Sequence, residues 1–204
     1  MKTNWRTYWL NKNNRIILVV SFAVLALVLL SFVQVLTYVE NRKGVVFNDP
    51  VLNLLPAIDL SLIIFISTYS IAVCGIILIA PKPELFLKLV QVYTILILLR
   101  MLSLFLVPLE PPVAIIPLDD ILLKSTFYSG RPNLKDLFFS GHVAMLLILA
   151  LVLANNKFKW FFVCGAIVVG ILIMLQHVHY SIDVFAAPAF AYLAFIAQKK
   201  ITST

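Results

Sequence analysis

Long runs of apolar residues alternate with short polar connections along the chain, and this alternation limits the possible folds more than any other feature. Runs of about 20 residues with few charges recur, and this is the length that an α-helix needs to cross the hydrocarbon layer of a bilayer. Apolar residues make up 62% of the sequence, whereas a soluble domain has roughly 45 to 50%. The pattern predicts an all-α integral membrane protein.

The apolar runs predict six transmembrane helices. They lie near residues 16–38, 58–80, 85–107, 138–154, 158–176 and 182–198. Neither an internal repeat nor a Gly/Ser-rich linker separates them, so we expect a single membrane domain over residues 1–204. Within it, residues 16–198 form one six-helix bundle between two cytoplasmic tails, 1–15 and 199–204. Trp5, Tyr8 and Trp9 in the first tail are typical of anchors at a membrane interface.

Lysine and arginine residues favour one side of this predicted topology. One side carries ten of them and the other five, and Arg100 lies inside the third predicted span. Because positive charge collects in cytoplasmic loops, both termini are predicted to be cytoplasmic. The net charge of +7 is explained by this topology, and nucleic acid is not an expected partner because the basic residues form no cluster.

All three histidines of the chain lie in two short polar stretches. His142 follows Ser140 and Gly141 at the start of the fourth predicted span, and His177 and His179 lie between the fifth and sixth spans. In a six-span topology with a cytoplasmic N-terminus, both stretches emerge on the outer side. The two stretches can therefore form one reaction centre.

His179 and Asp183 form the first candidate pair. They are four residues apart, so on a helix the two side chains would share one face. A carboxylate that binds one imidazole nitrogen orients the ring and leaves the other nitrogen to act as a base or nucleophile. The alternative is an interfacial hydrogen bond that only joins two helix ends.

Ser140, Gly141 and His142 are residue types that suit a phosphate site at a helix start. The serine can cap the helix, the glycine lets backbone amides approach an oxyanion, and a helix N-terminus favours phosphate. His142 can then protonate a leaving oxygen. The alternative is a capped helix start with an incidental histidine.

Arg100 lies toward the outer end of the third predicted span. A central arginine costs at least about 2.5 kcal/mol on insertion, so it usually faces the protein interior and has a partner. Its guanidinium suits two phosphate oxygens, and the alternative is snorkelling to the headgroups. Among the acidic residues predicted on the outer side, Asp136 and Asp183 adjoin the histidines and are assigned to the site, whereas Glu110 is assigned to an ordinary solvated loop.

Two segments resemble the catalytic motifs of the type 2 phosphatidic acid phosphatase superfamily, and specifically its sphingomyelin synthase-like branch. They are residues 136–142, Asp-Leu-Phe-Phe-Ser-Gly-His, and residues 179–184, His-Tyr-Ser-Ile-Asp-Val. The segment Arg-Met-Leu-Ser at 100–103, which runs on to Pro108, is similar to the arginine motif of that branch. The resemblance covers most of residues 50–198.

The resemblance implies a six-helix membrane enzyme with its site on the exoplasmic face. His179 would be the nucleophile that forms a phosphohistidine, Asp183 would orient it, and His142 would be the general acid or base. The substrate would be a phospholipid or sphingolipid in the bilayer. No cofactor is expected, and a metal site is disfavoured because His177 and His179 cannot share a helix face.

Two departures from the superfamily pattern leave undecided which cationic residues bind the phosphate. Its Ser-Arg pair before the nucleophile is replaced by Leu172 and Ile173, and the sphingomyelin synthase-like branch lacks the pair as well. Lys124 and Arg131, with the proline that follows, match a phosphatase pattern of Lys, six residues and Arg-Pro. Either Arg100 or these two cations are predicted to bind the phosphate.

Two classes of function remain open at this stage. The first is a lipid phosphohydrolase or headgroup phosphotransferase, according to whether water or a lipid hydroxyl attacks the phosphohistidine. The second is a non-catalytic membrane lipid-binding or transport protein with the same fold. Transporters often have broken helices or inverted repeats, and since the sequence shows neither, the enzyme is favoured. The oligomeric state is not predicted.

Overall fold

The computed structural model describes residues 4–118, 133–154 and 156–202. Within these ranges the chain forms α-helices, one turn of 3-10 helix at Leu52–Leu54 and an isolated bridge between Val45 and Leu109. The helices are α1 (Trp5–Leu10), α2 (Lys12–Asn41), α3 (Ser61–Ile79), α4 (Pro83–Leu106), α5 (Gly141–Val152), α6 (Lys159–Leu175) and α7 (Ser181–Thr202). The all-α prediction is confirmed for the described ranges.

Each predicted span coincides with one helix from α2 to α7, with the ends displaced by a few residues. Helices α2, α3, α4 and α7 are long and apolar enough to cross a membrane, which indicates an integral membrane protein. Helix α5 has 12 residues and α6 has 17, fewer than the roughly 20 that a span needs. The six-span topology with cytoplasmic termini therefore stays a prediction.

The short helix α5 lies at the centre of the bundle. It packs against α3, α4, α6 and α7, and seven of its residues are buried. Helix α2, by contrast, packs mainly on α4 and leaves most of its apolar surface exposed. A helix that is wrapped by other helices can be short, because its ends and the loops beside them are covered by protein.

The turn between α6 and α7 reverses the chain within a few residues. After α6 ends at Leu175, His177 has a left-handed backbone with φ of 57°. The amides of His177 and Val178 donate to the carbonyls of Met174 and Ile173 at 3.0 and 3.1 Å. These bonds satisfy the last carbonyls of α6 in the way that usually involves glycine at the left-handed position.

Helix α1 folds back onto the turn between α3 and α4. The indole of Trp5 donates to the carbonyl of Ala80 at 2.6 Å, and its ring lies 5.8 Å from that of Phe86. Tyr8 is buried, whereas Trp9 is 49% exposed. Trp5 and Tyr8 therefore also pack against protein, and the anchoring of all three residues at a membrane interface stays a prediction.

Candidate active site

The two stretches that carry the histidines meet at one end of the bundle, which we call the motif end. The amide of Ser140 donates to the carbonyl of Asp183 at 3.0 Å. Gly170 of α6 lies against both helix starts: a Cβ at this position would be 2.9 Å from Val184 and 3.5 Å from Val143. The first turns of α5 and α7 therefore lie side by side, as predicted.

His179 and Asp183 are in contact. The His179 Nδ1 atom lies 3.3 Å from Asp183 Oδ2, and both residues are buried. His179 precedes α7, so the expectation that one helix holds both residues is wrong. The contact forms because Asp183 reaches back from the first turn, where the same Oδ2 accepts the Tyr180 amide at 3.0 Å. A carboxylate at Nδ1 requires the proton of a neutral ring on that nitrogen, so Nε2 carries the reactive lone pair.

Asp49, in the loop between α2 and α3, caps the start of α7. Its Oδ2 accepts the Ser181 amide at 2.6 Å, and its Oδ1 accepts the Ser181 hydroxyl at 3.0 Å. Burial raises the pKa of the Asp49 carboxyl, but hydrogen bonds from Ser181, Leu52 and Val51 outweigh it and leave the pKa below its ordinary value. This role of Asp49 was not predictable from the sequence, because Asp49 lies 132 positions from Ser181 and no local pattern joins the two residues.

Arg100 is 4% exposed and binds the loop that leads into α5. Its guanidinium donates to the carbonyl of Phe139 and pairs with the carboxylate of Asp136. The Ser103 hydroxyl donates to the neighbouring carbonyl of Phe138 at 2.9 Å. These carbonyls belong to buried, non-helical backbone, which needs donors when water is excluded. Arg100 thus has buried partners and does not snorkel, while direct contact with phosphate stays a prediction.

Ser140 and Gly141 differ from their predicted roles. Ser140 occupies the N-cap position of α5, but its hydroxyl makes no capping hydrogen bond, so the predicted side-chain cap is wrong. A Cβ on Gly141 would lie 2.9 Å from Nη1 and 3.0 Å from Cζ of Arg100. Only glycine therefore lets the guanidinium lie directly against the start of α5. The approach of backbone amides to an oxyanion remains a prediction.

Two buried polar atoms at the motif end lack hydrogen-bond partners within the described part of the chain. They are the Ser140 hydroxyl and Asp183 Oδ1, and both residues are fully buried. A buried polar atom without a partner costs roughly 1 to 3 kcal/mol. Such atoms in a native structure call for an explanation, and a bound polar ligand or water would supply the missing partners.

Tyr180 joins the turn before α7 to two other loops. Its hydroxyl donates to the carbonyl of Glu110 at 2.9 Å and accepts the Phe47 amide at 3.2 Å. Burial raises the pKa of the Tyr180 hydroxyl, so it stays protonated and can donate. The Glu110 carboxylate pairs with Lys135 at 2.9 Å. The assignment of Glu110 to an ordinary solvated loop is therefore wrong, since both its backbone and its side chain hold loops together.

The remaining predicted residues occupy different positions. His142 is the second residue of α5 and half-buried. His177 lies in the turn, where its Nε2 is 3.1 Å from the carbonyl of Leu55. Lys124 and Arg131 lie outside the described residues, so the competing phosphate clamp stays a prediction. Residues 4–118, 133–154 and 156–202 contain no group of three or more His, Cys, Asp and Glu side chains that could hold a metal ion.

Residues 135–200 match the family model described as "PAP2 superfamily C-terminal". The matched segment contains both histidine motifs and nearly all of the chain from α5 to α7. The match supports the type 2 phosphatidic acid phosphatase superfamily, and with it phosphatase-type chemistry on lipid phosphates. It does not extend to the sphingomyelin synthase-like branch. A search of curated proteins found no match to the chain.

Proposed function

We propose that the protein is a membrane-embedded lipid phosphate phosphatase or headgroup phosphotransferase that acts through a phosphohistidine on His179. The observation that carries this proposal is the contact of His179 Nδ1 with Asp183 Oδ2 at 3.3 Å. The backbone bond from Ser140 to Asp183 at 3.0 Å places the second histidine motif beside this pair. The family match spans both motifs.

In the first step, Nε2 of His179 attacks the phosphorus atom, and the bond from phosphorus to the leaving oxygen breaks. Asp183 holds the Nδ1 proton and stabilises the positive charge that develops on the ring. Protonated His142 donates its proton to the leaving oxygen. The products of this step are a phosphohistidine, neutral His142 and the released alcohol.

In the second step, neutral His142 takes a proton from the acceptor, whose oxygen attacks the phosphohistidine. The bond between nitrogen and phosphorus breaks, and its electron pair returns to Nε2. Water as the acceptor gives a phosphatase. A lipid hydroxyl gives a headgroup transferase, which is the reaction that the sphingomyelin synthase-like resemblance favours.

The phosphoryl oxygens are proposed to bind at the start of α5. The helix N-terminus attracts an anion, the unpartnered Ser140 hydroxyl can donate to it, and the guanidinium of Arg100 adds positive charge close to Gly141. Loss of one such donor typically lowers the rate by about a hundredfold to a thousandfold. Lys124 and Arg131 are the second candidates for this contact.

The proposed site faces the exoplasmic side of the membrane, and its substrate is the headgroup of a phospholipid or sphingolipid. The side follows from the distribution of Lys and Arg in the sequence, ten against five. The lipid substrate fits a site at the end of a bundle whose outer helices expose apolar surface.

Purified protein with radiolabelled lipids would test the reaction. Phosphatidic acid and a choline phospholipid are each supplied with and without ceramide or diacylglycerol, and both free phosphate and new phospholipid are measured. We expect His179→Ala to lower turnover by at least about a thousandfold and His142→Ala by about a hundredfold or more. Free phosphate identifies a phosphatase, and a new phospholipid identifies a transferase.

The matched control is His177→Asn, which changes the neighbouring histidine and keeps a residue that tolerates a left-handed backbone. Turnover close to wild type is expected for this variant. If His179→Ala turned over lipid as fast as wild type, the catalytic proposal would be refuted and a non-catalytic lipid-binding or transport protein would be favoured.

A further inference from the structure

A pocket lies at the end of the bundle opposite to the motif end. We call it the lysine pocket; its volume is about 330 Å³, and its polar lining includes Tyr8, Glu84, Lys88, Gln91, Gln198 and Lys199. This volume is within the range of small-molecule sites. Gln198 is 15 residues beyond Asp183 on α7, so the pocket lies about 22 Å along the helix from the proposed active site.

The two ammonium groups of the lysine pocket lie near one aromatic ring, that of Phe195. The Nζ of Lys88 lies 4.2 Å from the centroid of the Phe195 ring, and the Nζ of Lys199 lies 5.1 Å from the same centroid. The ring attracts each cation, but the two cations repel each other. An anion that binds both ammonium groups would remove this repulsion.

An acceptor without a partner lies beside these cations. Gln198 is 5% exposed, and its Nε2 donates to Gln91 Oε1 at 2.9 Å. Gln91 in turn donates to the Ser21 hydroxyl at 3.2 Å. With the two amides assigned in this way, a chain of hydrogen bonds runs from Gln198 through Gln91 to Ser21. The Gln198 Oε1 is buried without a partner among the described residues, and a ligand that carries a donor would satisfy it.

Two further polar groups, one donor and one acceptor, line the lysine pocket. Burial, and then the charge of Glu84, raise the pKa of the Tyr8 hydroxyl, so it stays protonated and can donate a hydrogen bond. The Glu84 carboxylate is an acceptor that favours a ligand's hydroxyl or ammonium group. The pocket therefore suits a ligand with both a phosphate and a hydrogen-bond donor.

The pocket also has an apolar side. Ile17 of α2 and Leu87 of α4 line it, and Ile17 is 46% exposed. Because α2 presents apolar surface outward, this side opens toward the region where acyl chains lie in a bilayer. A free phosphate ion would gain nothing from such a wall, whereas a lipid would.

We propose that the lysine pocket binds the headgroup of a glycerophospholipid at the membrane surface opposite to the proposed active site. The phosphate binds Lys88 and Lys199, and a headgroup hydroxyl or ammonium binds Gln198 Oε1 and Glu84. This proposal does not depend on the proposed reaction. Its ligand is a resident lipid and not the substrate.

Native mass spectrometry of the purified protein in detergent would measure lipid binding. Phosphatidylglycerol and phosphatidylethanolamine carry both phosphate and donor, phosphatidylcholine lacks the donor, and diacylglycerol lacks the phosphate. We expect Lys88→Gln/Lys199→Gln to weaken binding of the first two lipids by about tenfold, since charge-assisted hydrogen bonds are lost. Gln198→Leu is expected to abolish the preference for phosphatidylglycerol over phosphatidylcholine.

The matched control is Lys157→Gln/Lys159→Gln. These lysines also lie over aromatic rings, at 5.5 Å from Phe158 and 5.3 Å from Trp160, and they do not line the pocket. We expect lipid binding by this control to equal that of wild type, and thermal unfolding of both double variants to remain near wild type.

Three results would overturn the proposal. The first is undiminished binding by Lys88→Gln/Lys199→Gln, and the second is an equal loss in the control variant, which would indicate general charge attraction. The third is displacement of the lipid by inorganic phosphate at an equal concentration, which would indicate a site for soluble anions. The phosphate-release assay of the proposed reaction is a separate measurement, so failure of one proposal does not decide the other.

Discussion

The two ends of the bundle contain very different arrangements of polar groups. Among the described residues, twelve polar or charged ones are buried; nine of these lie at the motif end, and only Gln198 lies at the lysine pocket. At the motif end, side chains of α4, of the loop that carries Asp49 and of the first turn of α7 hydrogen-bond to a few backbone groups. At the lysine pocket, two cations share one ring and a buried acceptor lacks a partner.

This difference fits the two proposed functions, catalysis at the motif end and lipid binding at the lysine pocket. Groups that react must be held in place before the substrate arrives, because fixed dipoles and charges then need no reorganisation during the reaction. A site that only binds a headgroup can leave its charges loosely held, since the ligand completes the hydrogen bonds. The comparison therefore predicts that substitution of Arg100, Asp49 or Gly141, which hold the starts of α5 and α7 in place, lowers both stability and turnover, whereas substitutions at the lysine pocket affect lipid binding alone.

The largest loss of stability is expected for Arg100→Leu. It removes the donor to the Phe139 carbonyl and leaves the Asp136 carboxylate without its cation. Loss of one partner of a buried ion pair costs about 3 to 5 kcal/mol, so the thermal unfolding temperature in detergent should fall sharply. Arg100→Leu/Asp136→Leu should recover part of this loss, because no buried charge is then left alone. Equal stability of wild type and Arg100→Leu would contradict the positioning role.

The second largest loss of stability is expected for Asp49→Asn. The amide cannot replace a carboxylate that accepts both the Ser181 amide and hydroxyl, so the free energy of unfolding should fall by about 1 to 3 kcal/mol. Turnover should fall too, because Ser181 opens the helix that carries Asp183.

The pH dependence of this effect has a definite sign. The pKa of folded Asp49 lies below its ordinary value of 3.8, so its stabilisation is complete above that value and is lost as pH falls through the folded-state pKa. Wild type should therefore lose its advantage over Asp49→Asn only below about pH 4, as measured by denaturant unfolding across pH. Asp59→Asn is the control; Asp59 also has a lowered pKa, through hydrogen bonds from Ser61, but it is exposed. If wild type were more stable than Asp49→Asn by the same amount at every pH, the charge of Asp49 would not be what stabilises the start of α7.

A smaller effect on stability is expected for Gly141→Ala. The new methyl group would press on the Arg100 guanidinium at 2.9 Å, and overpacking of this kind typically costs about 1 to 3 kcal/mol. Turnover should fall with it, because the start of α5 must move. Gly165→Ala is the matched control, since its Cβ would meet only the flexible end of Ile71 at 2.7 Å. An equal loss in both variants would show that the guanidinium is not the rigid neighbour.

The smallest effect on stability is expected for Lys88→Gln/Lys199→Gln. Surface substitutions away from bonded networks usually change the free energy of unfolding by less than about 0.5 kcal/mol. Turnover should equal that of wild type when lipid is saturating, while lipid binding weakens. If Lys88→Gln/Lys199→Gln lost as much stability as Arg100→Leu, the proposed difference between the motif end and the lysine pocket would be refuted.

The sequence by itself determined the helices and the contact between His179 and Asp183. The apolar runs predicted six helical segments, and each coincides with a helix, because backbone in apolar surroundings must form its hydrogen bonds within the segment. The spacing of His179 and Asp183 predicted their contact, which the structure places at 3.3 Å. Both inferences depend on residues that are close in the chain.

Only the tertiary structure decided how the motif end is assembled. Asp49 caps α7 from a distant loop, Arg100 donates to the carbonyl of Phe139 before α5, and Gly141 is required by a side chain from another helix. Backbone groups outside helices have no local partners, so the donors and acceptors that satisfy them come from whichever elements pack nearby. The spacing of residues in the sequence does not indicate that packing. The contact within the pair was therefore predictable, whereas the role of Asp49 and the actual contacts of Arg100 and Gly141 were not.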